Sequence, residues 1–235
     1  MQSKASSRHS QQRRTFERIY KILRNRISLL DYAPGQRLSE EKLAGEFGVS
    51  RTPLRRVLAR LEDEGLLKSV QSVGTIVTDV DIEELSQTYQ LRMGLAELIG
   101  KLSPVTVTPG LIDRFGDVLR RCDDLTRDPD PRSFAQINID FLHILLDLTD
   151  NEPLREISER LYYRTTRIWI KSIARMDLAE EIQIFRREVA DVLGAVEIGD
   201  LAAVGYIRRS HISMSFTRLR MSWQRLKPFT TAAKD

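Results

Sequence analysis

The chain has 235 residues, 41% hydrophobic and 30% charged, enough for one large domain or two unequal ones with a buried core. Its net charge of +4 hides a division, because residues 1–60 carry 14 Lys/Arg against five Asp/Glu and the remainder carries 23 against 28; a basic head on a mildly acidic body confines any polyanion contact to the N-terminal part. No apolar run is long enough to span a membrane, the polar, basic start is no secretory signal, and one cysteine with three histidines excludes a disulfide framework and a Cys/His zinc cluster.

Residues 1–13 are rich in Ser, Gln and Arg without an apolar period, which predicts a disordered basic arm. Phe16, Ile19, Leu23, Ile27 and Leu30 then recur at three- and four-residue steps, the stripe of a helix facing a core. Arg18, Lys21 and Arg24 lie off that stripe, and Ala33-Pro34-Gly35 is expected to stop the helix. Ser39 is placed to cap a second helix whose first turn holds Glu40 and Glu41, and Gly48 to end it. A third helix is expected from about Arg51 to Glu64, closed by Gly65.

On the third helix Leu54, Val57, Leu58 and Leu61 share one arc, while Thr52, Arg55, Arg56 and Arg60 share the opposite one and Arg51 projects from its start. An apolar inner face, an Arg/Thr outer face and a short preceding turn have the build of a DNA recognition helix, since Arg bonds bidentately to guanine and Thr holds phosphates. The other reading is a solvated cationic face. Two short β-branched runs, Leu66–Val70 and Thr75–Val80, flank a turn containing Gly74 and read as a hairpin. Three helices and a hairpin make a winged helix-turn-helix, here residues 14–80. Residues 81–226 read as helical, with breaks near 103–109, 127–131, 151–153 and 199–200, followed by a flexible tail over 227–235. The fold class is therefore mostly α, a winged helix-turn-helix followed by an all-α bundle.

The run Pro34-Gly35-Gln36-Arg37-Leu38-Ser39-Glu40, then Leu43-Ala44, then Gly48-Val49-Ser50-Arg51-Thr52-Pro53-Leu54-Arg55, resembles the DNA-binding domain of GntR-type bacterial regulators. The helical second part, with Asn151 before a helix start and Gly199-Asp200 before the last helix, is similar to the FCD effector domain of the FadR subfamily. The resemblance implies operator contacts from Arg51, Thr52 and Arg55, and a wing tip at Gly74; Ser39 and Arg56 join these as candidates. Val73 stands where the family often has a basic or polar residue, and Arg56 where it usually has Glu.

The resemblance also implies a divalent-metal site in many FCD domains, built from an Asp or Asn and three His. Its positions fall here on Asn138, Leu142, Val189 and His211, so two ligands are aliphatic and the metal is expected to be lost. A one-residue slip would instead bring in Asp140 and His143. His211 alone also reads as a hydrogen-bonded core histidine on a stripe with Val204, Ile207 and Met214. Arg92, where FCD domains often carry Arg, suits a carboxylate effector, with Asn138, Tyr163, Arg167 and His211 as further effector candidates. The competing reading pairs Arg92 and Arg167 with acidic neighbours such as Glu97.

These observations predict a cytoplasmic, homodimeric transcriptional regulator on a near-palindromic double-stranded operator, controlled by a small organic acid, with no cofactor and no catalysis. The alternatives are an effector-independent nucleic-acid-binding protein and a metal-dependent hydrolase with a DNA-binding head. No phosphate loop, nucleophile elbow or H-E-x-x-H pair supports the hydrolase.

Overall fold

The structure, a computed structural model, describes residues 2–79, 82–173 and 175–224, with side chains from Ser10 onward in the first helix and from Leu85 onward in the fourth. The chain divides into two compact units, Met1–Val80 and Asp81–Asp235.

The first unit opens with α1, Gln2–Ser28. The segment expected to be a disordered arm is thus helical from Gln2; it contains no Gly or Pro, and its Gln, Lys, Arg and Ala are good helix formers. The helix also stops before Pro34. Leu30 adopts φ 62, and the Asp31 N–H reaches back to the Arg26 carbonyl at 2.8 Å, a left-handed cap closed by leucine where glycine is usual. Helices α2, Glu40–Phe47, and α3, Arg51–Asp63, form the helix-turn-helix. Ser39 Oγ accepts from the Lys42 N–H at 3.3 Å, and Gly48 at φ 64 turns the chain between them.

Strands β1, Leu67–Val70, and β2, Gly74–Val77, pair antiparallel with Leu67 opposite Val77. Residues 35–38 line the far edge of β2, where Leu38 N–H meets the Thr75 carbonyl at 2.9 Å and Val77 N–H meets Gln36 at 3.0 Å. Ile19, Leu23 and Ile27 of α1, Leu54, Val57 and Leu61 of α3, and Val77 of β2 are fully buried together. Arg24, placed off the apolar stripe by its spacing, is also buried. Its guanidinium donates to the Tyr20 hydroxyl at 3.1 Å, which in turn donates to Glu64 at 2.8 Å, so the charge enters the core inside a hydrogen-bonded chain.

The second unit is a helical bundle: α4, Ile82–Leu98; α5, Pro109–Arg127; α6, Pro131–Leu146; α7, Glu152–Ile173; α8, Leu178–Glu197; and α9, Leu201–Gln224. Thr108, Asp130 and Asp177 cap α5, α6 and α8 through their side chains, and Pro sits in the first turn of α5 and α6, where its missing N–H costs nothing. The break before Leu178 escaped the sequence reading. It rests on the Asp177 cap, which accepts from the Glu180 N–H at 3.1 Å and looks in sequence like one more polar helical residue.

Helix α4 packs on α7 and α9, α5 on α6 and α8, α8 on α9, and α6 on α7. The core between them is aromatic. Phe141 meets Phe115 and Phe185 edge-on at 6.0 and 5.3 Å, and Phe134 meets Phe185 and Trp169 at 5.5 and 4.9 Å. The expected tail, 227–235, lies outside the described residues.

Candidate functional site

Two sites emerge, one in each unit. In the first, α3 buries Leu54, Val57, Leu58 and Leu61 and leaves Arg51, Thr52, Arg55 and Arg56 exposed. Glu40, at the start of α2, accepts from Arg55 Nε at 2.8 Å, and Glu41 lies 3.7 Å from Arg51. Holding Arg55 by Nε leaves both terminal nitrogens, the bidentate edge, directed away from the protein. Arg56 lies over the Phe16 ring at 5.8 Å. Ser39 serves as the α2 cap, so it positions the helix from within the fold.

At the wing tip Gly74 has φ 101, and a side chain added there would come within 3.5 Å of Arg37 Nε. Arg37 is exposed and paired through its backbone with Ile76. It supplies the positive charge that exposed Val73 does not. Arg37 was not among the sequence candidates, because only the pairing of residues 35–38 with β2 brings it to the wing.

In the second unit a cavity of about 80 Å³ opens between five helices. Tyr89 and Arg92 come from α4, Asn138 from α6, Tyr162, Thr165 and Trp169 from α7, Glu188 from α8, and Arg208 and His211 from α9. The Arg92 guanidinium sits between the Tyr89 and Tyr162 rings at 5.1 and 5.2 Å and donates to Thr165 Oγ1 at 2.7 Å. Desolvation lowers its pKa, partly offset by the two tyrosines, and nearby Arg208 lowers it further. Among the described residues no carboxylate pairs with Arg92. Glu97, the expected partner, holds Arg209 and Lys101 instead. Burial pushes the Tyr89 and Tyr162 hydroxyls up, so both remain neutral.

Of the sequence candidates, Arg92, Asn138 and His211 meet at this cavity. Tyr163 and Arg167 do not line it. The α7 residues that do are Tyr162, Thr165, Thr166 and Trp169, an arc one residue out of phase; Tyr163 is turned instead toward His143, 3.4 Å away. The same offset recurs on α8, where Val189 is fully buried in the core and the neighbouring Glu188 faces the cavity. On α9 the inward arc is Val204, Arg208, Ile212 and Phe216, not Val204, Ile207, His211 and Met214. A buried arginine in the middle of that arc disguised its phase.

The donors around the cavity do not suit a divalent metal. Leu142 and Val189 offer none, and Glu188 is engaged by the Arg208 guanidinium, a fixed cation where a second one would be repelled. Asp140 is held by Arg121 at 2.7 Å and Gln136 at 2.9 Å, and His143 by Glu159 at 3.1 Å. Both line a separate surface groove beside Asp113 and Asp117, so the one-residue slip does not bring them to Asn138 and His211. Among the described residues no group of three His, Cys, Asp or Glu is arranged to hold a metal, and no helix is long and apolar enough to cross a membrane.

Residues 15–77 match the bacterial regulatory proteins of the gntR family, and residues 87–214 match the FCD domain. The HTH-type transcriptional regulator YdhC of Bacillus subtilis is 27% identical over 150 residues, covering 61% of this chain and 64% of that protein. An HTH-type transcriptional regulator from an unstable DNA locus of Streptomyces ambofaciens is 27% identical over 202 residues, covering 84% and 82%. Among solved structures, McbR/YncC of E. coli shares the fold with a TM-score of 0.77 at 19% identity, over 89% of this chain and 98% of that one.

Proposed function

Because the chain belongs to the gntR family of bacterial regulatory proteins with an FCD domain, a family of DNA-binding transcriptional regulators, we propose that its operator affinity is set by a small organic acid seated on Arg92. The observation that carries this reading is a desolvated guanidinium, aimed into a closed cavity and matched by no carboxylate. Such a charge is costly until an anion arrives, and a carboxylate meets its planar fork with two parallel hydrogen bonds. Arg208 and Glu188 already neutralise one another, so the acid binds without a metal and the protein has no cofactor.

At the head, Arg51, Thr52 and Arg55 read base edges in the major groove, while Arg56 and Arg37 hold phosphates on either side, with the Gly74 tip at the minor groove. One such helix reads only a few base pairs, so the working form is a homodimer on a near-palindromic site in the cytoplasm. The protein regulates and does not catalyse: neither site assembles a nucleophile with a base.

Binding of small carboxylic acids and of their uncharged primary amides, measured in chelator-treated buffer, tests the cavity. Acids bind and amides do not, and Arg92→Gln weakens acid binding by about 30-fold or more, the loss of a buried charge partner. Acid binding that appears only after zinc or nickel is added would overturn the metal-free reading.

A further inference from the structure

We infer that the effector is a small hydroxycarboxylate gripped at both ends, its carboxylate by Arg92 and its hydroxyl by Glu188 and Asn138. This rests on the cavity being the acid site, and it names the rest of the molecule that fits there. The argument comes from size, from the polar atoms left open, and from charge.

The cavity, about 80 Å³, is far below the roughly 300–1,000 Å³ of sites for drug-sized ligands. It suits an acid of about three to six carbons and excludes a long chain. At the Arg92 end the neighbouring hydroxyls are committed: Thr165 and Thr166 donate to the Tyr162 carbonyl at 2.8 and 2.9 Å. Donors there come from the guanidinium, which suits an anionic acceptor.

The opposite wall has the reverse character. Glu188 is 6% exposed; Arg208 engages its Oε1, while the nearest partner of Oε2 is His211 Nδ1 at 3.7 Å, too long for a hydrogen bond. Asn138 spends its Nδ2 on the Phe134 carbonyl at 2.9 Å, which leaves its carbonyl oxygen as an acceptor at the cavity wall. Two buried acceptors without donors require a donor on the ligand.

Charge selects which donor. The cavity carries two guanidiniums, Arg92 and Arg208, against one carboxylate, Glu188, with His211 neutral. A hydroxycarboxylate brings one negative charge and balances the set. A zwitterionic amino acid would leave one cation uncompensated, and a dicarboxylate would leave one anion in excess.

Calorimetry on the full chain, in chelated buffer, with matched acids of about three to six carbons tests this. Each length is measured as the unsubstituted acid, the hydroxy acid and the amino acid, beginning with propionate, lactate and alanine. The hydroxy acid is expected to bind about tenfold or more tighter than its unsubstituted partner, the worth of a hydrogen bond to a charged group. Glu188→Gln and Asn138→Leu each shrink that advantage while the unsubstituted acid binds as before. Glu188 also holds Arg208, so Asn138→Leu serves as the second variant, and the wild-type comparison stands without either. Equal binding of unsubstituted and hydroxy acids, still lost in Arg92→Gln, would overturn the hydroxyl end and leave the carboxylate reading intact. Tighter binding of the amino acid would overturn the charge argument, and failure of every acid would remove the carboxylate reading itself.

Discussion

Arg92 and Arg218 are both arginines inside the helical unit, and their environments predict opposite responses to the same substitution. Arg218 grips Glu181 with Nε at 2.6 Å and Nη2 at 2.9 Å, and Glu181 is 5% exposed. Arg218→Met strands a buried carboxylate and is expected to destabilise the unit by roughly 3 kcal/mol, the low end for a broken buried pair because Arg218 retains some exposure. Arg92→Met removes a charge that has no counter-charge, so the ligand-free protein is expected to melt at the same temperature as the wild type or higher. Thermal unfolding of the two variants checks both signs, and a large loss for Arg92→Met would mean that its guanidinium serves stability. Residue identities of this kind were partly legible in the sequence. Arg92, Asn138 and His211 were found because each matches a position of the family pattern. Glu188 and Arg208 were missed because charged residues are read as facing solvent, and only a partner across the bundle, here each other, lets them turn inward.

At the scale of elements, the head was the more readable unit because its boundaries carry local chemistry. The Ser39 cap, the Gly48 turn and the Gly65 closure each depend on residues within one helical turn. The end of α1 was not readable, since Leu30 takes a left-handed conformation that sequence assigns to glycine. On α7, α8 and α9 the elements were found but their phase was set one residue off, as an apolar-only stripe skips the buried Glu188 and Arg208. The packing of α4 on α9 was equally hidden, and it depends on two glycines. A side chain at Gly100 would meet the Leu201 carbonyl oxygen at 1.7 Å, and one at Gly205 would meet the Ala96 and Glu97 carbonyls at 3.0 Å. Gly205→Ala is therefore expected to wedge α9 from α4 and cost about 1–3 kcal/mol, read as a lower midpoint in urea. An unchanged midpoint would show that the two backbones have room to part. Because Arg92 lies on α4 and Arg208 on α9, the same substitution is expected to weaken acid binding.

For the whole molecule, the charge division seen in the sequence corresponds to a division of labour. The basic excess lies in the unit that presents Arg51, Arg55, Arg56 and Arg37, and the near-neutral unit holds the one cavity residue whose charge is left open, Arg92. The link between them is thermodynamic: an acid that binds the two DNA-binding states of the protein unequally changes operator affinity by the ratio of those affinities. The most direct measurement is operator affinity for the wild type and Arg92→Gln, each with and without a saturating small hydroxycarboxylate. The duplex is one enriched from a random pool by the wild-type protein, used at one fixed salt concentration because phosphate contacts make affinity steeply salt-dependent. The expected result is a shift of about 5–150-fold in the wild type, the usual range of coupling between sites, and none in Arg92→Gln, whose operator affinity without acid equals that of the wild type. An equal shift in both proteins would contradict the assignment of Arg92, and an operator affinity indifferent to every acid would contradict the control of this regulator through its cavity.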